Sequence, residues 1–349
     1  MNCLGVILMK IASVSNNYGK QYDGVGAFAK VQNENYPDNV ICINYTADCT
    51  FEASKLQRIL MPGMTFAINR LIKDFHKENF DVVMVEYPFV EWNPFIILPL
   101  MIVRNIAKKR RCKLVLSLHE YIRVNALRKL VIKIMCKLSD IVFVSNEEMK
   151  SAVSEFSNQV CIRPIPTNLY NQEAMTLDIV QSTQNYVFFG LVNKVKAFYE
   201  MLDAWDIYNK DGKKTLYILT ASQLSDIENK HIGVKYLYKQ DDYTIIKILR
   251  SCVGCIVPIK PLVDNKNATF KTSCISGCIS IGKFCDEYKE LPFVINMPDY
   301  NINSFLCAFE QLDGIGEDDR IEKSKKAIEF GQKFVPKQEA NSVYEQLCD

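Results

Sequence analysis

The residues best suited to chemistry fall into two sets, one in each half of the 349-residue chain. In the first half, Ser117-Leu118-His119-Glu120-Tyr121 places an imidazole and a carboxylate where an apolar run ends. His119 is one of only three histidines, and its position suits an acid, a base or a hydrogen-bonding group, with Glu120 as its neighbour. Glu86-Tyr87-Pro88 ends the preceding apolar run and is set to reach the same place. Gly24-Val25-Gly26 opens a helical pattern, where a glycine pair lets backbone N–H groups come close to a ligand.

In the second half, Phe189-Gly190-Leu191-Val192-Asn193-Lys194-Val195-Lys196 brings two lysines to the expected start of a helix, a placement that suits a diphosphate. The strongest local pattern runs from Pro258 through Asp264-Asn265-Lys266-Asn267-Ala268-Thr269-Phe270-Lys271. It reads as a strand end, a polar loop and a helix start presenting Thr269, the amides of Asn267 and Ala268, Lys266 and Lys271 to an anion. An ordinary capped helix would have a similar sequence. Asp264 is placed to hydrogen-bond sugar or ribose hydroxyls. The chain has no Asp-x-Asp, the usual carboxylate pair for a nucleotide-bound divalent metal, and no metal ligand is assigned. Walker, Gly-x-Ser-x-Gly and His-Glu-x-x-His patterns are also missing.

Thirteen cysteines include Cys252-x2-Cys255 and Cys274-x3-Cys278, which approach zinc-site spacing. Within a strand, however, an offset of three sends Cys252 and Cys255 to opposite faces, so buried thiols in a reducing compartment are the expectation.

These residues need a frame, and the pattern supplies one. Short apolar runs alternate with helical periodicity, as in parallel sheets wrapped by helices. Strands are expected over 10–15, 39–44, 82–86, 113–118, 141–145 and 160–162, and again over 185–190, 215–220, 234–238, 254–258, 278–281 and 293–295. The proline-rich segment 163–168 separates the two series. The fold class is α/β with two doubly wound sheets: a domain over 1–166, a second over 167–336, and a terminal helix, 337–349, packing back on the first. Ligands in such sheets bind beyond the carboxyl ends of the strands.

Composition narrows the class further. Hydrophobic residues make up 48% and charged residues 23%, as in a folded globular chain. The longest apolar run, 95–103, is far short of the roughly 20 residues needed to span a bilayer. Segment 4–12 lacks the basic lead-in of a secretion signal, and Met9 offers a second possible start, so a cytoplasmic protein is expected. The net charge of +2 conceals an asymmetry, because Arg104 to Lys137 holds eleven basic residues and one acid, Glu120. Lys108, Lys109, Arg110 and Arg111, following the apolar run, are expected to face an anionic membrane surface. No aromatic-interleaved basic strand accompanies them, so no nucleic-acid partner is expected.

The chain resembles GT-B glycosyltransferases similar to glycosyltransferase family four, of the bacterial polysaccharide biosynthesis type. The landmarks are Gly24-Val25-Gly26, His119-Glu120-Tyr121, Ser139-Asp140-Ile141-Val142-Phe143-Val144-Ser145, Ile165-Pro166-Thr167-Asn168, Phe189-Gly190 with Lys196, and the block from Pro258 to Gly277. The resemblance implies two Rossmann-like domains facing across a cleft, the first binding an acceptor and the second a nucleotide sugar. Lys194 or Lys196 and Asn267 to Thr269 would hold the diphosphate, Tyr238 would lie near the base, and His119 would line the sugar site. Many relatives carry Glu-x7-Glu before the final glycine. Aligned on Gly277, those positions are Asp264 and Thr272, so the first acid is kept and the second is lost. The implied function is metal-independent and cofactor-free transfer of a sugar to a glycan or lipid-linked acceptor, for capsule or O-antigen, at the inner face of the plasma membrane. Two alternatives are a sugar-nucleotide epimerase or hydrolase of the same fold, and a catalytically silent binding subunit.

Overall fold

The computed structural model describes residues 8–20, 24–48, 63–89, 94–122, 124–167, 169–176, 182–193 and 196–348. Lys194, one of the expected phosphate ligands, and Asn168 of the linker lie outside the described residues. The chain divides into two compact units, residues 1–164 with 336–349, and residues 165–335.

The first unit runs β1 (Met9–Asn16), α1 (Gly24–Asn35), β2 (Val40–Ala47), α2 (Gly63–Asp74), β3 (Val82–Tyr87), a 3-10 turn (Pro94–Ile96), α3 (Ile97–Arg110), β4 (Lys113–Leu118), α4 (Ala126–Leu138), β5 (Ile141–Val144), α5 (Glu147–Ser154) and β6 (Val160–Ile162). The strands form one parallel sheet in the order β2-β1-β3-β4-β5-β6. All six residues of β3 and all four of β5 are buried, which is why these strands read as continuous apolar runs instead of alternating ones. Helix starts are fixed locally. The Asn125 and Asn146 side chains accept the amides of Arg128 and Met149 and so cap α4 and α5.

The second unit contains α6 (Gln172–Met175), β7 (Ser182–Phe189), α7 (Phe198–Tyr208), β8 (Thr215–Thr220), α8 (Ile227–Lys230), β9 (Val234–Tyr238), α9 (Asp242–Ser251), β10 (Cys252–Ile256), α10 (Ala268–Ile275), β11 (Ile279–Gly282), β12 (Val294–Asn296), α11 (Ile302–Asp313) and α12 (Glu317–Gln332). Its parallel sheet has the order β12-β11-β10-β7-β8-β9. As in the first sheet, chain order reverses next to the opening strand, which makes both sheets doubly wound. The last helix, α13 (Pro336–Cys348), belongs to the first unit. Its Ala340, Val343 and Leu347 pack with Ile11, Val115 and Phe143, completing the apolar cover on one face of that sheet.

Two expectations need correction. Cys252 and Cys255 do not diverge. The ladder is irregular between Cys252 and Gly254, where the partner on β7 moves from Ser182 to Tyr186, and both thiols lie with Cys274 and Cys278 in one apolar cluster. Burial pushes the Cys252 and Cys255 thiols up to about 12, which keeps them protonated and inert. The helix expected from residue 194 begins only at Phe198. Lys196 instead bridges Ile259 in antiparallel fashion, and the Ala197 amide donates to the Pro258 carbonyl at 2.8 Å.

Candidate functional site

That extended Lys196 is the centre of the second unit's site. The bridge to Ile259 turns its side chain back to the end of β7, where Nζ lies 5.0 Å from the Phe188 ring centroid. Gly190 follows β7 with φ +121°, a conformation that disfavours side chains. A Cβ at Gly190 would sit 2.6 Å from Lys196 Nζ and 3.5 Å from Thr269 Oγ1, so the missing side chain leaves space between ammonium and hydroxyl. Thr269 lies in the first turn of α10. Asn267, at the cap position, does not cap the helix, because its Oδ1 accepts the Asp264 amide at 2.7 Å. The amides of Ala268 and Thr269 therefore have no partner among the described residues, and they add the positive end of the helix to the same place. No carboxylate pairs with Lys196 among the described residues, and burial lowers its ammonium to about 8. A half-buried cation and a hydroxyl thus meet beside Gly190 at the amino end of a helix, and such a set fits a phosphate group.

The neighbouring residues divide. Lys271 does not present its charge to an anion. It is fully buried, and its Nζ donates to the carbonyls of Ile165 at 2.5 Å and Asn265 at 2.6 Å, above the Phe334 ring. The next residue on the helix, Thr272, is equally buried, and its hydroxyl bonds the Thr167 hydroxyl at 2.6 Å and the Ala268 carbonyl at 3.0 Å. The position of the second acid is thus a dry hydroxyl contact with no room for a carboxylate's solvation. Asp264 spends Oδ1 on the Lys266 amide at 2.9 Å, which shapes the loop before α10. Lys266 and Asn265 are half-buried in that loop. Tyr238 ends β9 on the exposed side, with the Lys239 ammonium over its ring.

In the first unit, His119 follows β4 as expected, but its carboxylate partner is Glu86 of β3, not Glu120. His119 Nε2 lies 3.0 Å from Glu86 Oε2 and 3.4 Å from Ser117 Oγ. Glu120 turns away to an ion pair with Arg128, which also donates from Nε to the Tyr87 hydroxyl at 2.7 Å. Adjacent residues after a strand point in different directions, so sequence neighbours made the poorer pair and strand neighbours the better one.

Behind Glu86 lies Arg163, which sequence reasoning passed over as part of the linker. Its Nη1 donates to Glu86 Oε1 at 3.1 Å and Ser117 Oγ at 2.9 Å, and its Nε to Glu339 Oε1 of α13 at 2.7 Å. Burial alone would raise Glu86, but Arg163 and His119 outweigh it and hold the carboxyl at about 2. The only sequence signal was a basic residue directly after a short strand and directly before Pro164.

Gly26 serves packing more than binding. A Cβ there would come within 2.2 Å of the Asn17 carbonyl, so glycine lets α1 sit against the loop after β1. Around Gly24 there is open space. Lys108, Lys109, Arg110 and Arg111 are exposed at the carboxyl end of α3, where Arg111 adopts φ 57° to close the helix. Part of the remaining basic stretch is engaged locally: Arg104 pairs with Asp140, and Lys129 and Lys133 lie over the Tyr121 and Phe156 rings.

The chain is similar to solved structures over nearly its whole length. A glycosyltransferase from Rickettsia africae superposes with TM-score 0.66 at 10% identity, covering 97% of this chain and 98% of that one. An alpha,alpha-trehalose-phosphate synthase (UDP-forming) from Burkholderia vietnamiensis gives 0.62 at 11%, covering 97% and 99%. The chain has the GT-B fold. A putative UDP-N-acetylglucosamine 2-epimerase from Listeria monocytogenes gives 0.57 at 11%, covering 97% and 95%. No family model matches the sequence, and no curated protein matches it. In this GT-B chain, no described helix is long and apolar enough to cross a membrane. Among the described residues, no group of three or more His, Cys, Asp or Glu side chains is placed to hold a metal ion.

Proposed function

We propose that the protein is a glycosyltransferase similar to family four, moving a sugar from a nucleotide-diphosphate sugar to a glycan or lipid-linked acceptor in cell-surface polysaccharide biosynthesis. The observation that carries this reading is Lys196: a half-buried ammonium that pairs with no carboxylate among the described residues, brought near the Thr269 hydroxyl in the first turn of α10 at a place where only glycine leaves room. Charge left uncompensated in a folded protein is costly unless a ligand neutralises it. As the bond from sugar to diphosphate breaks, negative charge grows on the leaving phosphate, where the ammonium and amides are already in place. They supply the stabilisation that a divalent ion gives elsewhere, so the proposed reaction is metal-independent. The Burkholderia structure is of a UDP-forming synthase, which makes a uridine donor the first to test.

The test is titration calorimetry with UDP-, GDP-, ADP- and CMP-linked sugars, followed by transfer assays on the donor that binds. Lys196→Ala should weaken that donor about 10- to 100-fold, as loss of a charge-assisted contact to phosphate would. Unchanged affinity would remove the site. Conversion of the donor without any acceptor would favour the epimerase reading, which the Listeria likeness supports.

A membrane-bound acceptor is supported by the surface of the first unit. Phe95, Leu98, Met101 and Ile102 are exposed along the 3-10 turn and α3, and Lys108 to Arg111 follow at the helix end. Each basic residue near an anionic leaflet contributes about 1 kcal/mol. Replacing Lys108, Lys109, Arg110 and Arg111 by glutamate should abolish co-sedimentation with phosphatidylglycerol vesicles. Equal sedimentation of both forms would end the membrane proposal.

A further inference from the structure

The proposed reaction leaves one feature without a purpose, the charge buried behind His119. Glu86 and Arg163 side chains are 1% and 2% exposed, and Glu339 is 2% exposed, while His119 is 14% exposed. His119 is therefore the only member of this ionic group that reaches the surface. Two carboxylates flank one guanidinium, Ser117 Oγ accepts from the same Arg163 nitrogen, and the Arg163 guanidinium carbon lies 4.4 Å from the Phe28 ring centroid. Phe28 in turn meets His119 edge-on at 4.7 Å. The imidazole is held in its plane by a ring on one side and a carboxylate at its edge. Burying so many charges is expensive, and hydrophobic groups of similar shape would be no worse for stability. Tyr36, the other titratable group facing the cluster, is driven upward by burial and stays a neutral phenol.

A carboxylate can only accept hydrogen bonds. With Arg163 keeping Glu86 ionised, the His119 nitrogen at 3.0 Å must carry the proton and donate. In a neutral imidazole the other nitrogen, Nδ1, then holds a lone pair. Nδ1 has no partner among the described residues.

We infer that Glu86 is a positioning residue that fixes His119 in the Nε2–H tautomer, so that Nδ1 accepts a hydrogen bond from a substrate hydroxyl, with Arg163 and Glu339 of the terminal helix holding Glu86 in place. This rests on the glycosyl-transfer reading for the identity of the hydroxyl, but not for the tautomer. The device explains why α13 returns to the first unit beyond its apolar contacts, since it brings the second counter-charge to Arg163.

Imidazole nitrogen NMR on the full chain decides the tautomer directly, and with three histidines in the sequence assignment is tractable by substituting His76 and His231. The expected result is a protonated Nε2 and an unprotonated Nδ1 in the neutral form of the His119 ring; the opposite pattern overturns the inference whatever the enzyme does. In transfer assays, His119→Asn places its amide where Nδ1 was and should keep activity within about tenfold, whereas His119→Gln reaches the Nε2 position and should lose about 100-fold or more. Equal loss in both would mean that Nδ1 does nothing. Glu86→Gln permits the reversed tautomer, so it should lower kcat about 100-fold while donor affinity stays unchanged and the NMR pattern shifts toward protonated Nδ1. A kcat unaltered in Glu86→Gln, in a variant that melts like the parent, also overturns it. If no donor supports transfer, the functional reading fails while the NMR result still stands or falls alone.

Discussion

Arg163 is a buried cation and Lys196 a half-buried one, each next to a strand end, yet their surroundings are opposite. Arg163 has two carboxylates and a serine hydroxyl within hydrogen-bond distance. Lys196 has an aromatic ring, a threonine hydroxyl nearby and, among the described residues, no carboxylate. The first is charge compensated by the fold, and its role is to hold other groups. The second is charge awaiting compensation, and its role is to receive a ligand. Lys271 sharpens the distinction, because it sits two residues from Thr269 on the same helix and is nevertheless fully spent on carbonyls.

This contrast predicts that the two cations respond to removal in opposite ways. Arg163→Leu removes the guanidinium that both buried carboxylates, Glu86 and Glu339, bind and should cost about 3–5 kcal/mol of stability. Lys196→Met removes an unpaired charge and should leave the melting temperature unchanged or higher. Denaturant unfolding of the two variants measures both; a stable Arg163→Leu or a strongly destabilised Lys196→Met would erase the distinction.

Lys271→Met is the intermediate case. It removes the donor to the Ile165 and Asn265 carbonyls and should cost about 1–3 kcal/mol. Because the ammonium does not face the phosphate site, donor affinity at a temperature where the variant is folded should match the parent. A tenfold weaker donor at equal folded fraction would return Lys271 to the site from which its hydrogen bonds exclude it.

These contrasts also show where the sequence is informative. The strand series was legible because a doubly wound sheet buries its central strands on both faces, giving runs such as Val82 to Tyr87 that nothing else resembles. Gly190 and Thr269 were legible because a glycine after a strand and a hydroxyl at a helix start have local causes. Partnership was not. Lys196 and Lys271 are the same residue type near the same helix, and only the antiparallel bridge to Ile259 and the burial of α10 decide which is free. His119 was found from its strand end, but its partner is 33 residues away on the adjacent strand. The irregular start of the β10–β7 ladder likewise overturned an alternation argument that was sound for a regular strand.

The finest test of the contrast is pH. Burial lowers Lys196 to about 8 from its ordinary 10.5, and a bound diphosphate, by supplying the missing counter-charge, should raise it again. A nucleotide sugar's diphosphate has no titration near this range, and ionisation of the donor's base is common to the parent and to a variant with a permanently charged side chain, so the difference between the two profiles reports the lysine. Donor affinity should be flat below pH 8 and fall by up to about tenfold per unit above it, because the free protein releases a proton that the complex must recover. In the free protein the sign reverses. Between pH 8 and 10.5 the unfolded chain holds more protons at this position than the folded one, so this group's contribution makes stability rise with pH across that window. Lys196→Arg, which stays charged throughout, should flatten the affinity profile while keeping measurable binding. Calorimetry of both proteins from pH 7 to 10 checks this. A parent profile as flat as the arginine variant's would mean that the ammonium does not meet the diphosphate.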